Sequence, residues 1–155
     1  TACDMQNETV VRLSEIKNIV GIKDATGNLE RGEALINALP NDFAVYSGDD
    51  PTAVSLMLLG GKGNISVTAN VAPKAVAQAA EAALLSNSEL AHSIDTTISS
   101  LHKNLFLESN PIPVKWACSQ LGLCEDGIRL PLTPLSEQYH SAVRQALIEA
   151  GVLLV

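Results

Sequence analysis

Apolar positions along this chain follow two regimes. From Asn7 to Lys17, Val10, Leu13 and Ile16 recur at helical spacing with Val11 beside them, predicting a helix. Next comes Asn18-Ile-Val-Gly-Ile-Lys23, a short apolar run closed by a charge. Thr26-Gly27-Asn28 is turn chemistry, and Leu29 to Leu39 predicts a helix stopped by Pro40. A second run, Phe43 to Ser47, leads into Gly48-Asp49-Asp50-Pro51. There Asp50 suits an N-cap and Pro51 a first helical residue, for a helix that reaches Leu59 and ends at Gly60-Gly61. A third run, Asn64 to Thr68, passes through Ala69-Asn70 into a helix over Pro73 to Leu85.

Strand and helix alternating three times at this spacing predict parallel βαβ units. The runs are almost uninterruptedly apolar, which predicts a sheet covered on both faces. After Ser88 the pattern changes: Glu89 to Leu107, Pro113 to Leu121 and Leu135 to Ala150 all predict helices with no strand between them. The breakers Asn110-Pro-Ile-Pro113 and Leu130-Pro-Leu-Thr-Pro134 separate them. The chain therefore divides at sequence level into βα units over residues 1–86 and a three-helix subdomain over residues 87–155. Three parallel strands alone would leave two unpaired edges, which a closed eight-stranded barrel removes. The expected fold is α/β, the last three βα units of a (β/α)8 barrel followed by the helical subdomain. The chain opens on Thr1-Ala-Cys-Asp4 without methionine, which adds the expectation that its numbering starts inside a longer protein.

Composition narrows the function classes. An apolar fraction of 46% with 17% charged residues describes a globular protein, and a formal charge of −7 without a basic run is a poor match for nucleic acid. No apolar stretch approaches the roughly 18 residues of a membrane span. The polar start, with Asp4 and Glu8, does not have the make-up of a signal peptide. Cys3, Cys118 and Cys124 lack metal-ligand spacing and suit reduced thiols in a cytoplasmic protein.

Candidate chemistry centres on Lys23. It closes the run Ile19-Val20-Gly21-Ile22, at the strand end where α/β barrels carry their active sites. Partial desolvation there favours a neutral amine, able to attack a ketone carbonyl and form an imine. Strand alternation sets Ile19, Gly21 and Lys23 on one face and Ile22 and Asp24 on the other, with Gly21 leaving room beneath a substrate. The competing reading is a lysine that leaves its strand for solvent. Gly48-Asp49-Asp50 would present a turn at the same end of the sheet, or simply cap a helix. Gly60-Gly-Lys-Gly63 lacks the spacer and trailing Lys-Ser/Thr of a P-loop and suits an ordinary connection at the opposite end. Ser66, Thr68 and Asn70 would contact a ligand or support a turn. His92, His102 and His140 suit surface or half-buried helix positions, and Trp116 suits the core.

The string Gly21-Ile-Lys-Asp-Ala-Thr-Gly-Asn-Leu29 resembles the Schiff-base motif of the dihydrodipicolinate synthase family, within the pyruvate-dependent class I aldolases. Its short core also fits sister 2-keto-acid aldolases. Tyr46-Ser-Gly-Asp-Asp50, Gly60-Gly-Lys-Gly-Asn-Ile-Ser-Val-Thr-Ala-Asn70, Leu105-Phe-Leu-Glu-Ser-Asn-Pro-Ile-Pro-Val-Lys-Trp-Ala117 and Leu130-Pro-Leu-Thr-Pro134 extend the likeness over essentially the whole chain. The resemblance implies a (β/α)8 barrel, usually a homotetramer, that condenses pyruvate with aspartate semialdehyde on the diaminopimelate route to lysine, without metal or organic cofactor. It implies that Lys23 forms the imine, that the carbonyl of Ile65 lies against pyruvate, that Gly48 lines the site and that Asp49 contacts the semialdehyde. Leu29 and Leu59 become candidate subunit contacts. Asp24 stands where many relatives carry glutamate. The family's Tyr and Thr proton relay and its semialdehyde-binding arginine would lie upstream of Thr1. An alternative expectation for the isolated chain is therefore a non-catalytic half-barrel that binds keto acids weakly.

Overall fold

The structure, a computed structural model, describes residues 4–153; Cys3 lies outside them. Among the described residues the fold is α/β, with seven α-helices and one three-stranded sheet. The strands are β1 (Gly21–Asp24), β2 (Ala44–Ser47) and β3 (Gly63–Asn64), parallel and in chain order. The register pairs Lys23 with Tyr46 and Tyr46 with Gly63. Helices α1 (Asn7–Ser14), α2 (Leu29–Ala38), α3 (Ala53–Leu58) and α4 (Pro73–Leu84) interleave with the strands. Helices α5 (Ser88–Asn104), α6 (Ile112–Gln120) and α7 (Glu137–Glu149) follow. Local chemistry sets several boundaries. The side chain of Asn28 accepts the Arg31 amide at the start of α2, and Asn87 accepts the Leu90 amide at the start of α5, each satisfying an N–H that a helix leaves free.

Among the described residues, the sheet is covered on one face only. Val45 of β2, 2% exposed, and Ile22 of β1 pack against Val10, Leu35, Leu39, Phe43 and Leu56 from the α1, α2 and α3 side. Alternation then leaves Lys23 and Tyr46 exposed on the other face. The expectation of a sheet buried on both sides is not met among the described residues: Lys23, Tyr46 and Gly63 occupy the second face, and no described element packs an apolar layer over it. Ile19 is corrected too. It precedes β1, its amide turns back to the carbonyl of Ile16, and it packs into the same cluster as Ile22.

The third run also differs from expectation. Only Gly63 and Asn64 pair as a strand, and Thr68–Asn70 forms a short 3-10 helix. The reason is Asp50, whose carboxylate takes the amides of Val67 and Thr68 out of the ladder, at 3.0 Å each. Asp50 therefore caps this later turn. It does not cap its own helix, which begins as a 3-10 turn over Asp50–Thr52.

Beyond the sheet, Ala79, Ala82 and Ala83 of α4 meet Ala91 of α5, small residues that let the two helices approach closely. A further cluster joins Val71 and Ala72 to Ile98, Leu101, Val114, Trp116, Val143 and Leu147. Apolar packing is therefore continuous across residue 87. Among the described residues no helix is long and apolar enough to cross a membrane.

The two described cysteines differ in environment. Burial pushes the Cys118 thiol up, the neighbouring Cys124 adds to this, and Lys115 opposes it. Cys124 is exposed. A thiol raised in pKa holds less thiolate at a given pH, so iodoacetamide at about pH 8 should alkylate Cys124 first, with Cys118 catching up as the pH rises. Peptide mapping that finds Cys118 modified first would contradict this order.

Candidate active site on the open face of the sheet

The open face collects Lys23 from β1, Tyr46 from β2 and, one step past the strand ends, Gly48 and Ile65. The ladder continues into this rim: the Gly48 amide donates to the Asp24 carbonyl at 2.7 Å and the Ile65 amide donates to the Ser47 carbonyl at 2.8 Å. Neighbouring strands lie roughly 4.8 Å apart, so Lys23 and Ile65, two strands apart, flank a space about 10 Å across. Gly48 lies between them.

Close approach explains that glycine. A Cβ at position 48 would stand 2.4 Å from Cε and 3.0 Å from Cγ of Lys23, and 2.9 Å from Cβ of Ala25. The lysine stem thus lies across Gly48, which brings the amine toward the centre of the face. Tyr46 uses Gly63 in the same way, its ring lying 3.2 Å from where a Cβ would be. Gly21 has a different role from the one expected. Its missing Cβ would meet the Ala44 carbonyl oxygen at 2.6 Å, so it permits close approach of β1 to β2 and opens no space beneath a substrate.

Lys23 itself is exposed and makes no ion pair with another described residue. The burial expected from its strand position is not found among the described residues, where β1 is an edge and no second layer covers its open face. A cleft of about 640 Å³ runs beside that edge, lined in part by Ile22, Lys23, Thr26, Asp4 and Arg31. Arg31 pairs with Asp4 at 2.7 Å, and the guanidinium holds the Asp4 carboxyl below the usual range, assisted by Gln6.

Rim residues are held by their own chain. Thr26 donates its amide to Asp24 at 2.8 Å, and Gly27 turns at φ +69°, a conformation that favours glycine. Asp49 is half-buried. Its carboxylate accepts the Thr52 hydroxyl at 2.7 Å and stands 3.1 Å from where a Gly27 Cβ would be. The Ser47 hydroxyl accepts the Asp49 amide and donates to the Asp49 carbonyl, which fixes the turn. Ile65 is half exposed, and among the described residues no donor takes its carbonyl.

Sequence reasoning missed several residues here. Tyr46 carries a period-2 signal, lying between buried Val45 and Ser47. His102 was expected at a helix surface or half-buried; it is 6% exposed and bonded to Thr68 and Asp95. Its signal is spacing, since His102 falls four residues after buried Ile98 on the apolar stripe of α5. The expected subunit contacts separate as well: Leu29 is partly buried against its own core, while Leu59 is exposed.

Comparison with known proteins gives this geometry a lineage. A family model described as the Dihydrodipicolinate synthetase family matches residues 1–150. The chain is 61% identical over 153 residues to 4-hydroxy-tetrahydrodipicolinate synthase of Marinobacter nauticus, covering 99% of this chain and 52% of that protein. It is 60% identical over 154 residues to the Pseudomonas putida protein of the same name, covering 99% and 53%. Among solved structures, chloride-inhibited dihydrodipicolinate synthase from Acinetobacter baumannii complexed with pyruvate superposes with a TM-score of 0.97 at 57% identity, over 99% of this chain and 53% of that one. The Aquifex aeolicus dihydrodipicolinate synthase follows at 0.92 and 39%, over 96% and 51%. The chain thus spans about half the length of the relatives it matches. Over that half, sequence and backbone agree from the first strand to the last helix, and the chain belongs to the dihydrodipicolinate synthetase family.

Proposed function

We propose that this chain supplies the imine-forming lysine of a pyruvate-dependent aldolase, as part of an enzyme that condenses pyruvate with aspartate semialdehyde in diaminopimelate and lysine biosynthesis. The observation that carries the reading is Lys23 at the end of β1, its stem laid across Gly48 on the open face. The amine of Lys23 adds to the keto carbon of pyruvate, and loss of water gives the imine. Loss of a methyl proton gives the enamine, whose carbon attacks the aldehyde carbon of the semialdehyde. The semialdehyde nitrogen then adds to the imine carbon and releases Lys23. The unused carbonyl of Ile65 faces the keto acid, Gly48 lines its bed, and Asp49 at the rim meets the incoming semialdehyde.

In the same reading the sheet is the last three strands of a (β/α)8 barrel, and its open face is the barrel interior. Residues 1–86 form the barrel part and residues 87–155 the helical subdomain, the parent being a cytoplasmic homotetramer with Leu29 and Leu59 in a subunit contact. The remaining strands would desolvate Lys23 and supply proton transfer, a contribution of about 10²–10⁴-fold in rate. The chain alone is then a half-site that binds keto acid with negligible turnover.

Borohydride reduction in the presence of pyruvate, followed by peptide mapping, tests the lysine. A reduced pyruvyl adduct is expected on the peptide containing Lys23. Absence of an adduct under conditions that label a full-length relative would sink the reading. Full-length turnover by the isolated chain in a coupled assay with both substrates would overturn the half-site assignment.

A further inference from the structure

Away from Lys23, the described residues hold a buried hydroxyl–imidazole–carboxylate chain. Thr68 Oγ1 lies 2.8 Å from Nδ1 of His102, and Nε2 of His102 lies 3.1 Å from Oδ1 of Asp95. Thr68 is 0% exposed and His102 6%. The order of groups matches a hydrolytic triad, but a hydroxyl with no exposed surface cannot reach a substrate. Chemistry at Thr68 is excluded, and the groups must act through what they hold.

The hydrogen-bond logic assigns the protons. A carboxylate only accepts, so Nε2 of His102 carries hydrogen toward Asp95, and Nδ1 and the Thr68 hydroxyl share the second hydrogen bond. Thr68 is then held twice. Its side chain is tied to α5 through His102, and its amide is tied to the Asp50 carboxylate at 3.0 Å. The same carboxylate takes the Val67 amide at 3.0 Å and the Asn64 side chain at 3.1 Å. Ile65 lies between these anchors, with its own amide on Ser47. Residues 64–68 therefore hang from β2, from the turn before α3 and from α5, and the free carbonyl of Ile65 takes its direction from all three.

We propose that His102, bridging Thr68 to Asp95, is a positioning residue that aims the Ile65 carbonyl at bound keto acid. This rests on the keto-acid reading above. A substitution that removes the bridge frees the segment from α5 while leaving Lys23 and its Gly48 bed untouched. The amine's reactivity should persist, and affinity for the keto acid should fall.

The test uses the chain with Thr68→Val, Thr68→Ser and His102→Leu, reading borohydride labelling of Lys23 against pyruvate concentration and amide exchange at Val67 and Thr68. Thr68→Val and His102→Leu should raise half-saturating pyruvate about tenfold, in keeping with loss of one buried hydrogen bond, and should speed exchange at both amides. The labelling rate at saturation should stay within about twofold, and Thr68→Ser, which keeps the hydroxyl, should restore half-saturation to within about twofold. A purely structural role would lower thermal stability without moving half-saturation. Wild-type half-saturation in Thr68→Val would overturn the proposal, whatever its amide exchange. If the unsubstituted chain takes no label, the keto-acid reading itself falls; amide exchange in the variants then still decides whether the bridge fixes the segment.

Discussion

Gly48→Ala is expected to slow pyruvate labelling of Lys23 by about a hundredfold while the chain stays folded, because displacement of a reacting group by about 1 Å costs that much. The added Cβ would sit 2.4 Å from Cε of Lys23, closer than any real contact. Something must move. The lysine stem is flexible and exposed, so it swings aside at little cost to the fold, and the amine leaves its position over the open face. The second conflict, at 2.9 Å, is with Cβ of Ala25, which is fixed to the backbone and accounts for a modest loss of stability. The double variant Gly48→Ala with Ala25→Gly separates the two effects. It removes the second conflict only, so it should recover stability and leave labelling slow. Labelling at the wild-type rate in Gly48→Ala would show that the amine works from a position this structure does not hold.

Helix order was legible because period carries it, and strand order because each strand sits in a short apolar run. Leu35 and Leu39 four apart announce α2, and the run Phe43 to Ser47 announces β2. Lys23 at a strand end, and the likeness of its flanking string to one family, were legible for a similar reason: each is a local pattern. What could not be read was long-range. Nothing local to Asp50 says that its carboxylate serves amides 17 and 18 residues away, and a cap on its own helix was the natural local expectation. The shortness of β3 follows from that one bond set. The burial of His102 had a local signal in its spacing from Ile98, but its hydrogen-bond partner did not, since Thr68 lies 34 residues earlier on another element. Ile19 failed for a subtler reason. Alternation was counted through a turn, and the period-2 rule holds only once the strand has begun at Gly21.

The largest stability effect is expected at Asp50, and its size distinguishes the two roles considered for that residue. As an N-cap of its own short helix, Asp50 would lose about 1 kcal/mol on replacement by alanine. As the structure has it, the carboxylate is 2% exposed and holds three donors: the Asn64 side-chain amide on Oδ1, and the Val67 and Thr68 amides on Oδ2. Alanine would leave these without their acceptor, at about 1–3 kcal/mol for each buried group that water cannot reach. With partial relief by water, Asp50→Ala should cost about 3–5 kcal/mol, a large share of the roughly 5–15 kcal/mol of a whole domain. Each kcal/mol shifts Tm by about 2–4 °C in a chain of this size, so the melting temperature should fall by about 6–20 °C. Asp50→Asn is the informative control. Its one carbonyl oxygen can keep the Val67 and Thr68 amides, while its NH₂ would face the NH₂ of Asn64. Asn64 Oδ1 is buried and has no partner among the described residues, so turning the Asn64 amide over presents that oxygen to the new NH₂. Asparagine should therefore cost only about 1–2 kcal/mol. Chemical denaturation of the three proteins decides the matter: an alanine variant no less stable than the asparagine one would show that Asp50 does not carry the loop.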